Sequence, residues 1–389
     1  MRPEFLKEGD TIAVIAIASA PSDAQLAGNW KEQLESWGLK VKIGKNLEAK
    51  YPGDFAGTHQ QRAEDLTEML LDPEVKAIVS IRGGYGTMHT IKNLNLELFK
   101  ENPKWLIGYS DITILHYALQ KMGIESIHGA MPGTFPAEWD AFSQNSLKDA
   151  LFGKVAAYTT NPHKYNVKGT AQGRLIGGNL TLMRNLVATP NDHNFDEPTI
   201  LFIEDIDERM YTIDSKLWHL RECGHLAKCK GIIIGYFTDT REEDQWQRDV
   251  LDLINEYTAP LGIPVMFGFP CGHEHPNASI YLGAQVEMSV GESGGVLRFL
   301  ESSSRQDLFP DRYKKICRSY KGLHILFVKD LSAQHSLLNS ICHPASSLRS
   351  LAVEACGPVF HVRRITFVLR AFSFLTSISW SASPVMRIT

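Results

Sequence analysis

A serine hydroxyl becomes a strong nucleophile only when a base can take its proton and an acceptor holds that base in one tautomer. Three segments of the 389-residue chain supply those side-chain types. In KWLIGYSDITILHYALQKMG an apolar run ends at Gly108-Tyr109-Ser110-Asp111, and an amphipathic helical pattern follows at once. A strand-to-helix turn of this kind holds the Ser110 hydroxyl at the C-terminal edge of a parallel sheet, where open α/β sheets form their ligand crevice. The Asp111 N–H then stands at a helix N-terminus, whose partial positive charge suits an oxyanion. Ile112 sits where the α/β-hydrolase elbow G-x-S-x-G carries its last glycine, and a plain helix-capping role for Ser110 stays open. FPCGHEHPN offers His273 and His275 in a Gly- and Pro-bounded loop, and TILFIEDIDE offers Glu204 and Asp205 at the end of another apolar run. Carboxylates at strand ends are commonly exposed loop charges, so their role is open on this ground alone.

A second glycine-rich turn, IRGGYGT, follows the apolar run VKAIVSI. It lacks both the G-x-G-x-x-G spacing and the Lys-Ser/Thr pair of a phosphate cradle. Without Cβ atoms, Gly83, Gly84 and Gly86 let backbone N–H groups approach a ligand, as a second oxyanion donor and crevice wall must; a simple tight turn is the competing reading. Arg82 and Arg174 flank glycine-rich turns and are candidates for clamping a carboxylate with a bidentate fork, and Tyr85 is a further substrate-facing candidate. HLRECGHLAKC gathers His219, Cys223, His225 and Cys229, but the spacing departs from the usual zinc pairs, and helix packing suffices. No metal or cofactor is expected.

The elements that must position these residues follow from hydrophobic period. From Thr11 to about Gly129, the short runs TIAVIAI, LKVKIG, VKAIVSI, KWLIGY and ESIHG alternate with helical candidates DAQLAGNWKEQLESWG, HQQRAEDLTEMLLD, TMHTIKNLNLELF and DITILHYALQKMG. That alternation predicts an α/β fold with a doubly wound parallel sheet over residues 1–152. Ser22 and Asp23 are candidate N-caps of the first helix and Gly38 its terminating glycine. Residues 153–169 read as a linker, and 170–302 as a mixed, β-rich α/β domain carrying the Glu and His. Residues 303–389 differ in character: from Leu331 onward only Glu354 is acidic, while Ser, Arg and Cys accumulate. This stretch reads as a poorly ordered or non-native extension and is assigned no function; ITFVLRAFSFLTSISW is interrupted by Arg370 and falls short of the roughly 20 residues that span a bilayer.

Bulk composition narrows the partners. With 40 Lys and Arg against 44 Asp and Glu, the formal net charge of -4 provides no positive field for nucleic acid or anionic lipid. Six cysteines in so long a chain suit a reduced interior, and acidic Glu4, Glu8 and Asp10 precede the first apolar run where a secretory signal would be basic. A cytoplasmic protein acting on a small molecule is expected, without nucleic acid or membrane.

In chain order, LKEGDTIAVIA, IRGGYGT, GYSDIT, HGAM, GRLIGGNLTL, LFIEDIDE, GHEHPN and LGAQVEM jointly resemble the LD-carboxypeptidases, a family that includes the microcin-immunity serine peptidases. The resemblance spans about Pro3 to Leu300. It implies Ser110 as nucleophile, Glu204 as orienting carboxylate and His273 as base, with the N–H groups of Asp111 and Gly84 as oxyanion hole. It implies a homodimer that removes terminal D-alanine from murein tetrapeptides. Alternatives are cleavage of a peptidyl or aminoacyl nucleotide, or muropeptide binding without catalysis. Asp207 stands where the family usually has a glycine, and HGAM replaces its more usual HGP, departures that bear on pocket shape more than on the triad.

Overall fold

The structure, a computed structural model, describes residues 1–23, 25–131, 140–241 and 246–300, which lie in one compact unit, Met1–Ser302. The reading of residues 303–389 as a tail falls outside the described residues. The apolar runs of the first half become β1 (Thr11–Ile15), β2 (Lys40–Ile43), β5 (Val75–Ser80), β6 (Trp105–Gly108) and β7 (Ser126–His128), with a small hairpin of β3 (Lys50–Tyr51) and β4 (Phe55–Ala56) between them. Every residue of β1, β6 and β7 is buried, as expected of parallel strands covered on both faces. Helices α1 (Leu26–Ser36), α2 (His59–Leu71), α3 (Thr87–Thr90), α4 (Leu98–Glu101) and α5 (Thr113–Lys121) connect them, followed by α6 (Ala141–Leu151).

The second half supplies β8 (Ala157–Thr160), β9 (Gly169–Asn179), α7 (Leu180–Leu186), β10 (Thr199–Ile206), α8 (Met210–Glu222), α9 (His225–Lys228), β11 (Cys229–Thr238), α10 (Val250–Thr258), β12 (Val265–Met266), β13 (Ile280–Leu282), β14 (Gln285–Gly291) and β15 (Gly294–Phe299). Two large sheets result. The first has order β13-β7-β6-β5-β1-β2, parallel except for β13; the second has order β12-β11-β10-β9-β14-β15-β8, parallel from β12 to β9 and antiparallel beyond. In the first sheet the strand order reverses between β1 and β5, which creates a crevice beyond their C-terminal ends.

Local chemistry explains most of these boundaries. Thr58 and Gln61 form a capping box at the start of α2, and Gly38 ends α1 with φ +85°. Ser22 and Asp23 do not serve as the N-cap of α1: that position is Gln25, without a side-chain cap, and Asp23 instead accepts from the Gln25 N–H. TMHTIKNLNLELF is two short helices rather than one, because the Asn95 side chain takes the Glu97 N–H in a local turn that competes with helix. Within the stretch read as a linker, residues 157–160 are strand β8, paired with β15. A single buried core runs from β1 through Trp105 to Tyr281, Met288 and Phe299, so both halves of the sequence share it. A second core gathers α7, α8 and α10 against the other face of β10 and β11.

Candidate active site

At the end of β6 the backbone turns sharply. Gly108 has φ +157°, Tyr109 is extended, and Ser110 has φ +60°, the left-handed region that non-glycine residues rarely occupy. Residues Ser110–Ile112 form one 3₁₀ turn that runs into α5. The N-cap position of α5 is Ile112, so Ser110 does not cap that helix. Such a backbone is sustained by its surroundings. The Gly108 carbonyl accepts from the Gly129 N–H at 3.1 Å and from His116 Nε2 at 2.8 Å. His116 is buried and its other nitrogen meets Ser126 Oγ, so burial pushes it down to about 3 and it works as a neutral bolt behind the turn.

The IRGGYGT turn lies against this elbow. A Cβ placed on Gly83 would stand 3.0 Å from Ser110 Cβ, 3.3 Å from Ser110 Oγ and 3.4 Å from the Asp111 nitrogen. At Gly84, φ is +89° and a Cβ would come within 2.4 Å of Ser19 Oγ, so only glycine fits. Ser19 accepts the Tyr85 N–H, while its own N–H donates to the Gly83 carbonyl. Asp111 Oδ2 accepts the Thr87 N–H at 2.7 Å, tying elbow to turn; burial raises this carboxyl and the Thr87 bonds oppose that. Beneath lies Arg62, fully buried, donating to the carbonyls of Ile17, Gly57 and Gly86.

Glu204 lies two residues before the end of β10, opposite Asn179 of β9, and is completely buried. Its Oε2 is 2.6 Å from His273 Nδ1. Burial alone would raise the Glu204 carboxyl; the charge and hydrogen bond of His273, with His128 close by, outweigh it and hold the group well below the usual carboxylate range. For His273, burial disfavours the imidazolium but Glu204 outweighs it, so its pKa is raised. With Nδ1 bound to the carboxylate, Nε2 is the nitrogen left to act as base. The His273 ring lies 4.8 Å from that of Tyr109, the neighbour of Ser110. The structure thus sets the glycine turn against Ser110 and Asp111, pairs Glu204 with His273, and rests the His273 ring on Tyr109, the residue before Ser110.

Other candidates fall elsewhere. Asp205 caps α7 through Asn179 and Thr181 and faces Lys216 at 3.6 Å, a structural assignment. His275 pairs with Asp140. Arg82 donates to the Ala20 carbonyl from beside the glycine turn, and Tyr85 is 47% exposed with its hydroxyl 3.3 Å from His89 Nε2. Arg174 is not brought to this crevice. It pairs with Thr199 at the other end of β10, five residues or about 17 Å from Glu204, and is engaged by Glu197 and the Gly283 carbonyl. Among the described residues no cluster of His, Cys, Asp and Glu is arranged to hold a metal, and no helix is long and apolar enough to cross a membrane. Tyr109 and His128 escaped the sequence reading; the adjacency of GYSDIT and the histidine of HGAM were the signals present.

The family models for the LD-carboxypeptidase N-terminal and C-terminal domains match residues 12–129 and 172–288. A Bacillus subtilis protein named "Probable murein peptide carboxypeptidase" is 36% identical over 305 residues, covering 76% of this chain and 94% of the relative. The chain belongs to the LD-carboxypeptidase family. The murein tetrapeptide carboxypeptidase of Pseudomonas aeruginosa is 30% identical over 275 residues, covering 68% of this chain and 89% of that one. Among solved structures, the muramoyltetrapeptide carboxypeptidase of Oxalobacter formigenes superposes with TM-score 0.69 at 26% identity, over 76% of this chain and all of the other. This LD-carboxypeptidase is therefore a serine-type hydrolase, and its two-sheet α/β architecture is that of its relatives.

Proposed function

We propose that the protein is a serine carboxypeptidase that hydrolyses the amide between an L-configured centre and a terminal D-amino acid, releasing D-alanine from murein tetrapeptides. The observation that carries this reading is the buried Glu204–His273 pair, 2.6 Å apart and packed on Tyr109, beside a serine in a left-handed turn. His273 Nε2 takes the Ser110 proton as Oγ attacks the carbonyl, and Glu204 stabilises the resulting imidazolium. The oxyanion is received by the N–H groups of Asp111 and Gly84; those of Tyr85 and Thr87 are already taken by Ser19 and Asp111. His273 then returns the proton to the departing amine of D-alanine, leaving a Ser110 ester that water hydrolyses. Arg82 clamps the free carboxylate of the leaving residue and Tyr85 walls the crevice.

We assign the protein to the cytoplasm and to a homodimer. Among the described residues Cys223, Cys229 and Cys271 are all free thiols, which suits a reducing compartment, and the dimer rests on the family resemblance. Light scattering of the purified protein tests the dimer. Mass spectrometry of a defined tetrapeptide ending in D-alanine tests the reaction: the expected product has lost that single residue. Ser110→Ala should lower turnover by roughly 10⁶-fold, and D-alanine release at the normal rate by this variant would overturn the mechanism. An aminoacyl sulfamoyl nucleotide assayed in parallel should remain intact.

A further inference from the structure

Glu204 has two carboxylate oxygens, and the triad uses one. Oε2 meets His273, whereas Oε1 is sealed from solvent with no hydrogen-bond partner among the described residues. A buried carboxylate oxygen without a donor is costly. The nearest candidate donor is His128 Nε2, 3.9 Å away, itself fully buried and equally without a partner. Two unsatisfied, complementary atoms thus face each other across a gap that a shift of about 1 Å would close to hydrogen-bond length.

The far side of the His128 ring is held. Nδ1 lies 3.3 Å from Cys271 Sγ, and the ring stands edge-on to Phe202 at 5.2 Å. Burial, with Glu204 nearby, pushes the Cys271 thiol well above its ordinary value, so it stays protonated. Its S–H has two acceptors in reach, the Ala278 carbonyl at 3.2 Å and His128 Nδ1. When it points at Nδ1, the ring proton sits on Nε2 and faces the carboxylate. The groups around Glu204 are then His128 on β7, Asp205 on β10, His273 and Cys271 in the loop before β13, and Tyr109 and His116 flanking the elbow.

We infer that His128 is a positioning residue: its imidazole donates to Glu204 Oε1, with Cys271 setting which nitrogen faces the carboxylate, and so fixes the carboxylate plane on which His273 depends. This rests on the triad reading above. A carboxylate held from both sides cannot rotate away as His273 gains and loses its proton.

The test compares His128→Leu, which keeps bulk and removes the donor, with His128→Gln, which keeps a donor near the Nε2 position. His128→Leu should lower kcat by on the order of 10- to 100-fold on the tetrapeptide with KM little changed. It should also raise the acid limb of kcat/KM by about half a pH unit, because an undersolvated carboxylate holds the His273 proton harder. His128→Gln should recover most of both. Cys271→Ala, which leaves both imidazoles in place, should give an intermediate loss of kcat and serves if the leucine variant fails to fold. The rate of Ser110 labelling by a fluorophosphonate should follow the same order whatever the substrate. Wild-type kinetics in His128→Leu, or equal damage in the Leu and Gln variants, overturns the inference while leaving the triad standing. Wild-type protein that neither labels nor releases D-alanine overturns the triad reading itself.

Discussion

Glu204 and His273 are ionised together only over a limited span of pH, whose upper edge bounds activity in the proposed mechanism and whose width carries part of the stability. His273 must be neutral to accept the Ser110 proton, and its pKa is raised above the ordinary 6.5. Activity is therefore lost as pH falls through a limb above 6.5, readable in kcat/KM. Replacing Glu204 by Gln leaves burial opposed only by the more weakly acting Asp205, so the limb should move down while turnover drops by on the order of 10³–10⁴-fold. For stability the two partners act with opposite sign. Glu204 is depressed below 4.5, so its contribution is present above that value and fades as pH falls through its folded pKa. His273 is raised, so its contribution is complete below 6.5 and fades as pH rises through its folded pKa. The melting temperature of wild type should exceed that of Glu204→Gln most between pH 4.5 and 6.5 and converge with it on either side. A difference that stayed constant with pH would count against this pairing.

The turn Ile81–Thr87 and the elbow at Ser110 are separate in sequence yet form one surface, because Asp111 of the elbow takes the Thr87 N–H while Ser19 and Arg62 hold the turn in place. Gly84→Ala should cost about 1–2 kcal/mol from its left-handed φ alone, and more from the Ser19 contact, measurable by urea denaturation alongside a fall in kcat. Retention of full activity and stability would mean that the turn tolerates a side chain there. The long apolar strands, the capped helix α2 and the amphipathic helix α5 were legible because period and local chemistry agree. By contrast β13 has three residues, IYL, whose pairing with β7 is decided more than 140 residues away, and α6 is interrupted by Ser143, Asn145 and Ser146, which blur its apolar stripe. The catalytic types were legible one by one, and family resemblance chose Glu204 over Asp205 and His273 over His275. Arg174 misled because flanking glycines say nothing about which end of a strand a side chain occupies. Tyr109 against His273, and His128 against Glu204, are tertiary contacts with no local signature.

At the scale of the molecule, the two sheets are not independent. β13 belongs by sequence to the second half but completes the first sheet, where Tyr281 packs on Trp105 at 5.4 Å between ring centroids. A fragment of residues 1–152 leaves the β7 edge bare and that aromatic cluster open. It should show no cooperative thermal transition and should be digested quickly by protease, whereas a stable fragment would show that the first sheet folds unaided. The loop bearing His273 leaves β12 in one sheet and enters β13 in the other, where Ile280 pairs with His128. His273, the base of the proposed mechanism, is thus slung like a footbridge with an abutment on each bank.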